Sequence, residues 1–166
     1  MPIWSRAALF VLLVPGAVAG WIPWWLAQGE GAAPAGATAS RWIGGALVAL
    51  GWAIVLWCTR DFVRRGRGTP APYDPPRALV TTGLFGVVRN PMYVGVLLAI
   101  GGIALRHGSG RTLLYGACVA LAVHLRVVTY EEPRLAREFG AAFTAYRHAV
   151  PRWLPVRWPG RRPPRA

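Results

Sequence analysis

The chain has 166 residues, 54% of them hydrophobic, and its mean hydropathy of +0.35 is higher than most soluble single domains carry. The formal charge of +13 comes from nineteen basic residues, all arginine, clustered between and after apolar runs instead of spread over a surface, which points to anionic lipid headgroups and away from nucleic acid. The two cysteines, Cys58 and Cys118, sit inside separate apolar runs, so neither a zinc spacing nor a redox pair is present and they are expected as small buried hydrophobes.

The first apolar run, AALFVLLVPGAVAGWIPWWLA at 7–27, is long enough to cross a hydrocarbon core of about 30 Å, with a kink expected at Pro15 or Pro23. Arg6, a short apolar stretch and Ala17-Val18-Ala19 also imitate a secretory signal with its small-residue cleavage site. The apolar character continues into GWIPWWLA, whose tryptophans suit a membrane interface, and this favours a span. GEGAAPAGATAS (29–40) reads as a loop, followed by a second span at 42–58 in which Gly44, Gly45 and Gly51 would let a neighbouring helix approach closely.

From Thr59 to Asn90 the chain is polar, basic and proline-rich and reads as a long loop, with LVTTGLFGVVR suited to lying at the membrane surface. Two shorter apolar segments follow, 91–105 and 112–130, joined by RHGSGR (106–111), whose glycines favour a tight helical hairpin. Four spans with both termini in the cytoplasm satisfy the distribution of arginines, which are dense in 59–90 and in the C-terminal region and sparse elsewhere. Beyond Pro133, Leu135, Phe139, Ala142, Phe143 and Tyr146 recur at helical spacing, so 134–148 is expected as an amphipathic helix lying over the bundle. Residues 156–166 carry too much Pro and Arg to bury anything and are expected to be mobile.

This topology brings two polar stretches to one membrane face: GLFGVVRNPMY, at the entry of the third span, and the segment from His124 onward. The latter holds Glu131, Glu132 and Glu138, three of the six acidic residues. Taken alone, these carboxylates could simply pair with Arg126 and Arg134; facing the polar mouth of the third span, they could also form a site. Arg126 lies at a depth where an ionisable group is usually paired or lines a wet cavity. No P-loop, no GxGxxG after a strand and no metal-ligand cluster is present, so a soluble nucleotide-binding fold is excluded and no metal is expected.

In their order and spacing, GLFGVVRNPMYVG (83–95), a helical hairpin and EEPRLAREFGAAFTAYRHAVPRWLP (131–155) resemble the isoprenylcysteine carboxyl methyltransferase family and its relatives among the phospholipid methyltransferases. The resemblance covers about half the chain, and the first two spans match only in being hydrophobic. It implies an all-α integral membrane methyltransferase without a Rossmann domain, using S-adenosylmethionine on the cytoplasmic side while a lipophilic small molecule or lipid acceptor arrives through the membrane. It places Gly83, Leu84, Val88, Arg89, Asn90, Pro91 and Tyr93 on one wall of the cofactor pocket, and Glu131, Glu132 and Tyr146 on the other. Arg126, Glu131 and Glu132 become the residues nearest the chemistry. A carboxylate would face the cofactor's cationic part and Arg89 its carboxylate. Asn90 stands where many relatives have histidine; an amide donates and accepts hydrogen bonds but does not titrate. The competing expectation is a non-catalytic membrane protein that keeps the scaffold.

Overall fold

A computed structural model describes residues 2–29, 38–66 and 78–155, and the tail at 156–166 falls outside that set. Among the described residues the protein is all-helical with no strand. Helix α1 (Ile3–Leu13) runs through a π turn at Ala17–Trp21 into α2 (Ile22–Gln28), and together they form one 26-residue helical unit. The α-helical pattern breaks at Val14, directly ahead of Pro15, whose missing N–H removes a rung of the ladder. Pro23 has a subtler effect. In the π turn the Ile22 N–H bonds Ala17 O, so the next acceptor, Val18 O, faces the nitrogen of a proline that cannot donate. The Tyr115 hydroxyl donates to Val18 O instead at 3.0 Å, as a carbonyl at membrane depth requires. Ala19 and Val11 from this unit lie in the main core with Val55, Val96, Ala99 and Ile100.

Helix α3 is longer than its apolar stretch. It spans Thr38–Asp61 and continues as a π turn over Phe62–Gly66, which corrects both the expected loop at 38–40 and the loop expected from residue 59. Arg60, Arg64 and Arg65 mark where the helix leaves the apolar layer, not where it stops. The rest of that loop, 67–77, lies outside the described residues. Within residues 78–90, Val80 and Phe85 are buried against Cys58 at the end of the bundle, around a 3₁₀ turn at Gly83–Gly86, while Thr82, Gly86 and Val87 are exposed.

Helix α4 (Pro91–His107) and α5 (Gly110–Arg126) form the expected tight hairpin, with Gly108 left-handed at φ 65° and the Ser109 hydroxyl accepting the Thr112 N–H. A π turn at Val127–Glu131 then leads directly into α6 (Glu132–Ala149). Three helical units, Ile3–Gln28, Thr38–Gly66 and Gly110–Ala149, are long and apolar enough to cross a membrane. The remaining apolar helix, α4, has 17 residues and rises about 26 Å, short of a core about 30 Å thick, but it is the most enclosed helix among the described residues, with eight buried residues. Leu12, Leu13, Trp42, Ile43, Leu113 and Leu121 project outward, a surface that suits a bilayer and not water.

The α3–α4 seam is built on glycine. A Cβ on Gly44 would lie 2.6 Å from Gly102 O, and one on Gly51 2.5 Å from Gly95 O, so the two backbones touch directly at two levels. Gly45, grouped with them from sequence, would meet only the flexible end of Arg106, at 3.1 Å from Nη1. At the end of the bundle away from the polar motifs, Arg106 and Arg111 donate to the carbonyls of Arg41 and Gly29, and the Thr112 hydroxyl donates to Pro23 O.

Candidate active site

The entry to α4 begins with Asn90 at the N-cap and Pro91 in the first turn, where a missing N–H removes no helical bond. Just ahead of it, Arg89 donates from Nη1 to Glu132 Oε1 at 2.8 Å, and both side chains are nearly buried, at 10% and 12% exposure. Glu132 has a second partner that sequence reading missed. Arg152 donates from Nε to Oε1 at 2.7 Å and from Nη2 to Oε2 at 2.9 Å, a two-pronged arginine–carboxylate pair. Burial lowers the Arg89 pKa against the opposing pull of Glu132, whereas the bond to Glu132 raises that of Arg152. Both stay cationic at neutral pH.

Arg152 reaches Glu132 because the chain turns back after α6. Val150 is extended and buried, Pro151 O accepts the Arg89 N–H at 2.8 Å, Arg152 O accepts the Asn90 Nδ2–H at 3.2 Å, and Trp153 Nε1–H donates to His124 Nδ1 at 3.2 Å. Residues 150–153 therefore form a strap across the mouth of α4. Tyr146, on the last turns of α6, donates its hydroxyl to Phe85 O at 2.7 Å and so ties the strap's base to the 78–90 segment.

Glu131 belongs to a second cluster. Its Oε1 accepts the Tyr93 O–H at 2.5 Å and the Arg126 Nε–H at 2.8 Å. In a regular α-helix, residues five apart point in well-separated directions, but a π turn closes on i→i+5 bonds and brings them to one side. The π turn at 127–131 thus pairs Arg126 with Glu131, and Arg126 also lies over the Tyr130 ring at 5.6 Å.

These clusters border a cavity of about 570 Å³. Its polar end presents Arg89, Asn90, Tyr93, Arg126, Glu131 and Tyr146, together with Tyr130, Arg134 and Glu138, and its walls are apolar side chains of the spans, among them Phe10, Val14, Val18, Met92, Val96, Val119 and Val123. Glu132 lines a smaller adjoining space of about 30 Å³ with Arg89, Asn90, Glu131 and Tyr146. Of the predicted site residues, Gly83, Leu84, Val88 and Pro91 do not border either space. Gly83, at φ 65°, presses on Asp61, whose Oδ2 would lie 2.7 Å from an added Cβ. Leu84 packs on the Cys58, Val80 and Phe85 cluster, and Val88 and Pro91 are buried.

Along α6 the expected apolar stripe holds for Leu135, Phe139, Phe143 and Tyr146, which pack together with Leu79 and Val150. Ala142 is exposed, because Gly140 takes φ 53° and ψ −123° inside the helix and resets the phase between its two halves. The upstream half carries the cavity-lining Arg134, Leu135, Glu138 and Phe139, and the downstream half carries the buried anchor of the strap.

A family model described as phospholipid methyltransferase matches residues 39–142, well over half of the chain, and takes in α3, α4, α5 and the Glu131–Glu132 pair. The family resemblance read from the polar motifs is thereby borne out, and it extends over α3, which by eye matched only in hydrophobicity. No curated protein and no solved structure matches the chain.

Proposed function

The chain belongs to the phospholipid methyltransferase family, and from that premise we propose that it is an S-adenosylmethionine-dependent enzyme that moves a methyl group to a lipophilic acceptor: a prenylcysteine-type carboxylate, a phospholipid amine or a small thiol. The observation that carries this reading is the two-sided cavity. One end offers both signs of charge, and the other is walled by membrane-spanning helices. A volume of about 570 Å³ falls in the ~300–1,000 Å³ range of small-molecule sites.

The residues present fit the proposed cofactor. Arg89 has a buried Nε–H without a hydrogen-bond partner, a donor suited to a carboxylate. Glu131, held by Tyr93 and Arg126 and bordering the main cavity, suits the cationic part better than Glu132, whose two oxygens are already taken by arginines. When bound, S-adenosylmethionine supplies an electrophilic methyl group on a sulfonium. The protein's own residues then have three tasks: Arg89 and Glu131 orient, the apolar walls exclude water, and the spans guide the acceptor's lipophilic part to the polar end. In-line methyl transfer disperses charge, so alignment and a dry site supply most of the rate. Asn90 is engaged with Arg152 O and does not titrate, so it serves in positioning, not in proton transfer. The arginine-rich end, which holds the cavity, faces the cytoplasm in this reading.

The test is calorimetry of S-adenosylmethionine and S-adenosylhomocysteine against the full chain in detergent, followed by single-turnover methyl transfer to pooled thiols, prenylcysteines and amine phospholipids. Binding of both ligands with transfer to one pool is the expected result. A folded protein that binds neither at millimolar ligand removes the reading, and binding without transfer to any pool removes the catalytic half of it.

A further inference from the structure

Glu132 is shared by two guanidinium groups, and the way they share it decides what Arg89 has left to offer. A carboxylate pairs best with a single guanidinium fork that takes both oxygens. Here that fork belongs to Arg152, through Nε to Oε1 at 2.7 Å and Nη2 to Oε2 at 2.9 Å. Arg89 is left with one bond, from Nη1 to Oε1, and its Nε–H stays buried without a partner. An unmet buried donor costs ~1–3 kcal/mol. If Glu132 had only Arg89, that cost could be relieved by Arg89 turning its own fork onto both oxygens, which would use up the Nε–H. Arg152 prevents this, and the strap's bonds to Arg89 N–H, Asn90 and His124 hold Arg152 in place. The strap lies beyond residue 142, past the end of the family-model match but within the 131–155 stretch that carries the resemblance.

We propose that Arg152 is a positioning residue. By occupying both oxygens of Glu132 it keeps the Arg89 Nε–H available to the anionic group of a bound ligand, so that the C-terminal strap, and not the matched scaffold alone, confers recognition of a carboxylate-bearing cofactor. The proposal rests on the methyl-donor reading above and assigns its anionic end. Arg89 borders both the main cavity and the small space beside Glu132, so its guanidinium lies at the junction of the two.

The experiment compares two ligands on the full chain in the same detergent: S-adenosylhomocysteine, and 5′-methylthioadenosine, which keeps the adenosine and the sulfur but has no carboxylate. Arg152→Met is expected to weaken S-adenosylhomocysteine about tenfold, the scale of one charge-assisted hydrogen bond, while methylthioadenosine stays within about twofold. Arg152→Lys restores the charge without the fork and is expected to recover only part of the loss. A purely structural role would weaken both ligands together, and that outcome overturns the proposal, as does unchanged affinity for both. Should Arg152→Met fail to fold, Arg152→Lys decides alone: wild-type affinity for S-adenosylhomocysteine overturns the proposal, and a selective loss supports it. Failure of the wild-type protein to bind either ligand overturns the methyl-donor reading and this proposal with it, a result distinct from the others because it appears before any substitution is made.

Discussion

The two faces of α4 are packed in opposite ways. Toward α3, backbone meets backbone at Gly44–Gly102 and Gly51–Gly95, with no side chain between them and little freedom to slide. Toward α5 and α6 the packing opens into a cavity, and α5 buries only Thr112 along its whole length. The first face is a scaffold whose positions are set by sterics; the second combines apolar contacts of Tyr115, Gly116 and Val119 near Ile100 with polar bonds at its ends, and leaves a cavity beside them. The proposed methyl transfer would use both, the first as a fixed reference for orientation and the second as a wall open to an acceptor arriving from lipid.

The sharpest way to break this contrast is at the seam. Gly51→Leu forces a side chain onto a backbone carbonyl 2.5 Å from its Cβ and is expected to cost about 3 kcal/mol or more, seen as a lower thermal midpoint in detergent. Gly101→Ala, on α4 beside the seam residue Gly102 but with nothing within 4 Å of the added Cβ, should leave the midpoint unchanged or slightly raised, as helix propensity alone dictates. A similar loss in both variants would mean that glycine content, not the seam, is what matters.

On the open face the largest effect is expected at Glu132. Glu132→Gln removes the anion that holds two arginines together and should weaken cofactor binding by about 1.5–3 kcal/mol, measured by calorimetry. Gly140→Ala places a side chain at φ 53° in open space, so it adds strain without a clash. About 1–2 kcal/mol of stability should be lost, with the cavity-lining half of α6 exchanging amide hydrogens faster. The smallest effect belongs to Arg126, which is 45% exposed in its pair with Glu131. Arg126→Ala should change cofactor affinity by less than about 1 kcal/mol while lowering the single-turnover rate, and a larger loss of affinity would move Arg126 from the acceptor's path into the cofactor shell.

Much of the site was legible in the sequence because its residues are grouped in short motifs at the ends of apolar runs. Arg89, Asn90, Tyr93, Glu131, Glu132 and Tyr146 do converge, and Gly44 and Gly51 do mark a close helix contact. What could not be read was whatever depends on a change of helical phase or a reversal of the chain. Composition showed where α3 leaves the apolar layer, but it could not show that the helix persists to Gly66. The π turn that pairs Arg126 with Glu131 has no apolar periodicity to reveal it, and Gly140 shifts the α6 stripe enough to expose Ala142. Arg152 lies twenty residues from its carboxylate, across a turn at Val150, and no helical or strand spacing connects the two. Gly83 takes a positive φ close to the buried Asp61, a backbone requirement that its place in the motif does not reveal.

The strap also sets an order of assembly. Chains emerge from the ribosome N-terminus first, so residues 38–107, which hold the whole glycine seam, are available to pack before residues 150–153 have been made. The scaffold can therefore form in the membrane while Glu132 still lacks Arg152 and α4 still lacks the Pro151 carbonyl over its mouth. A nascent chain in that state has its helical scaffold packed while the bonds from residues 150–153 to Arg89, Asn90 and Glu132 are still unmade.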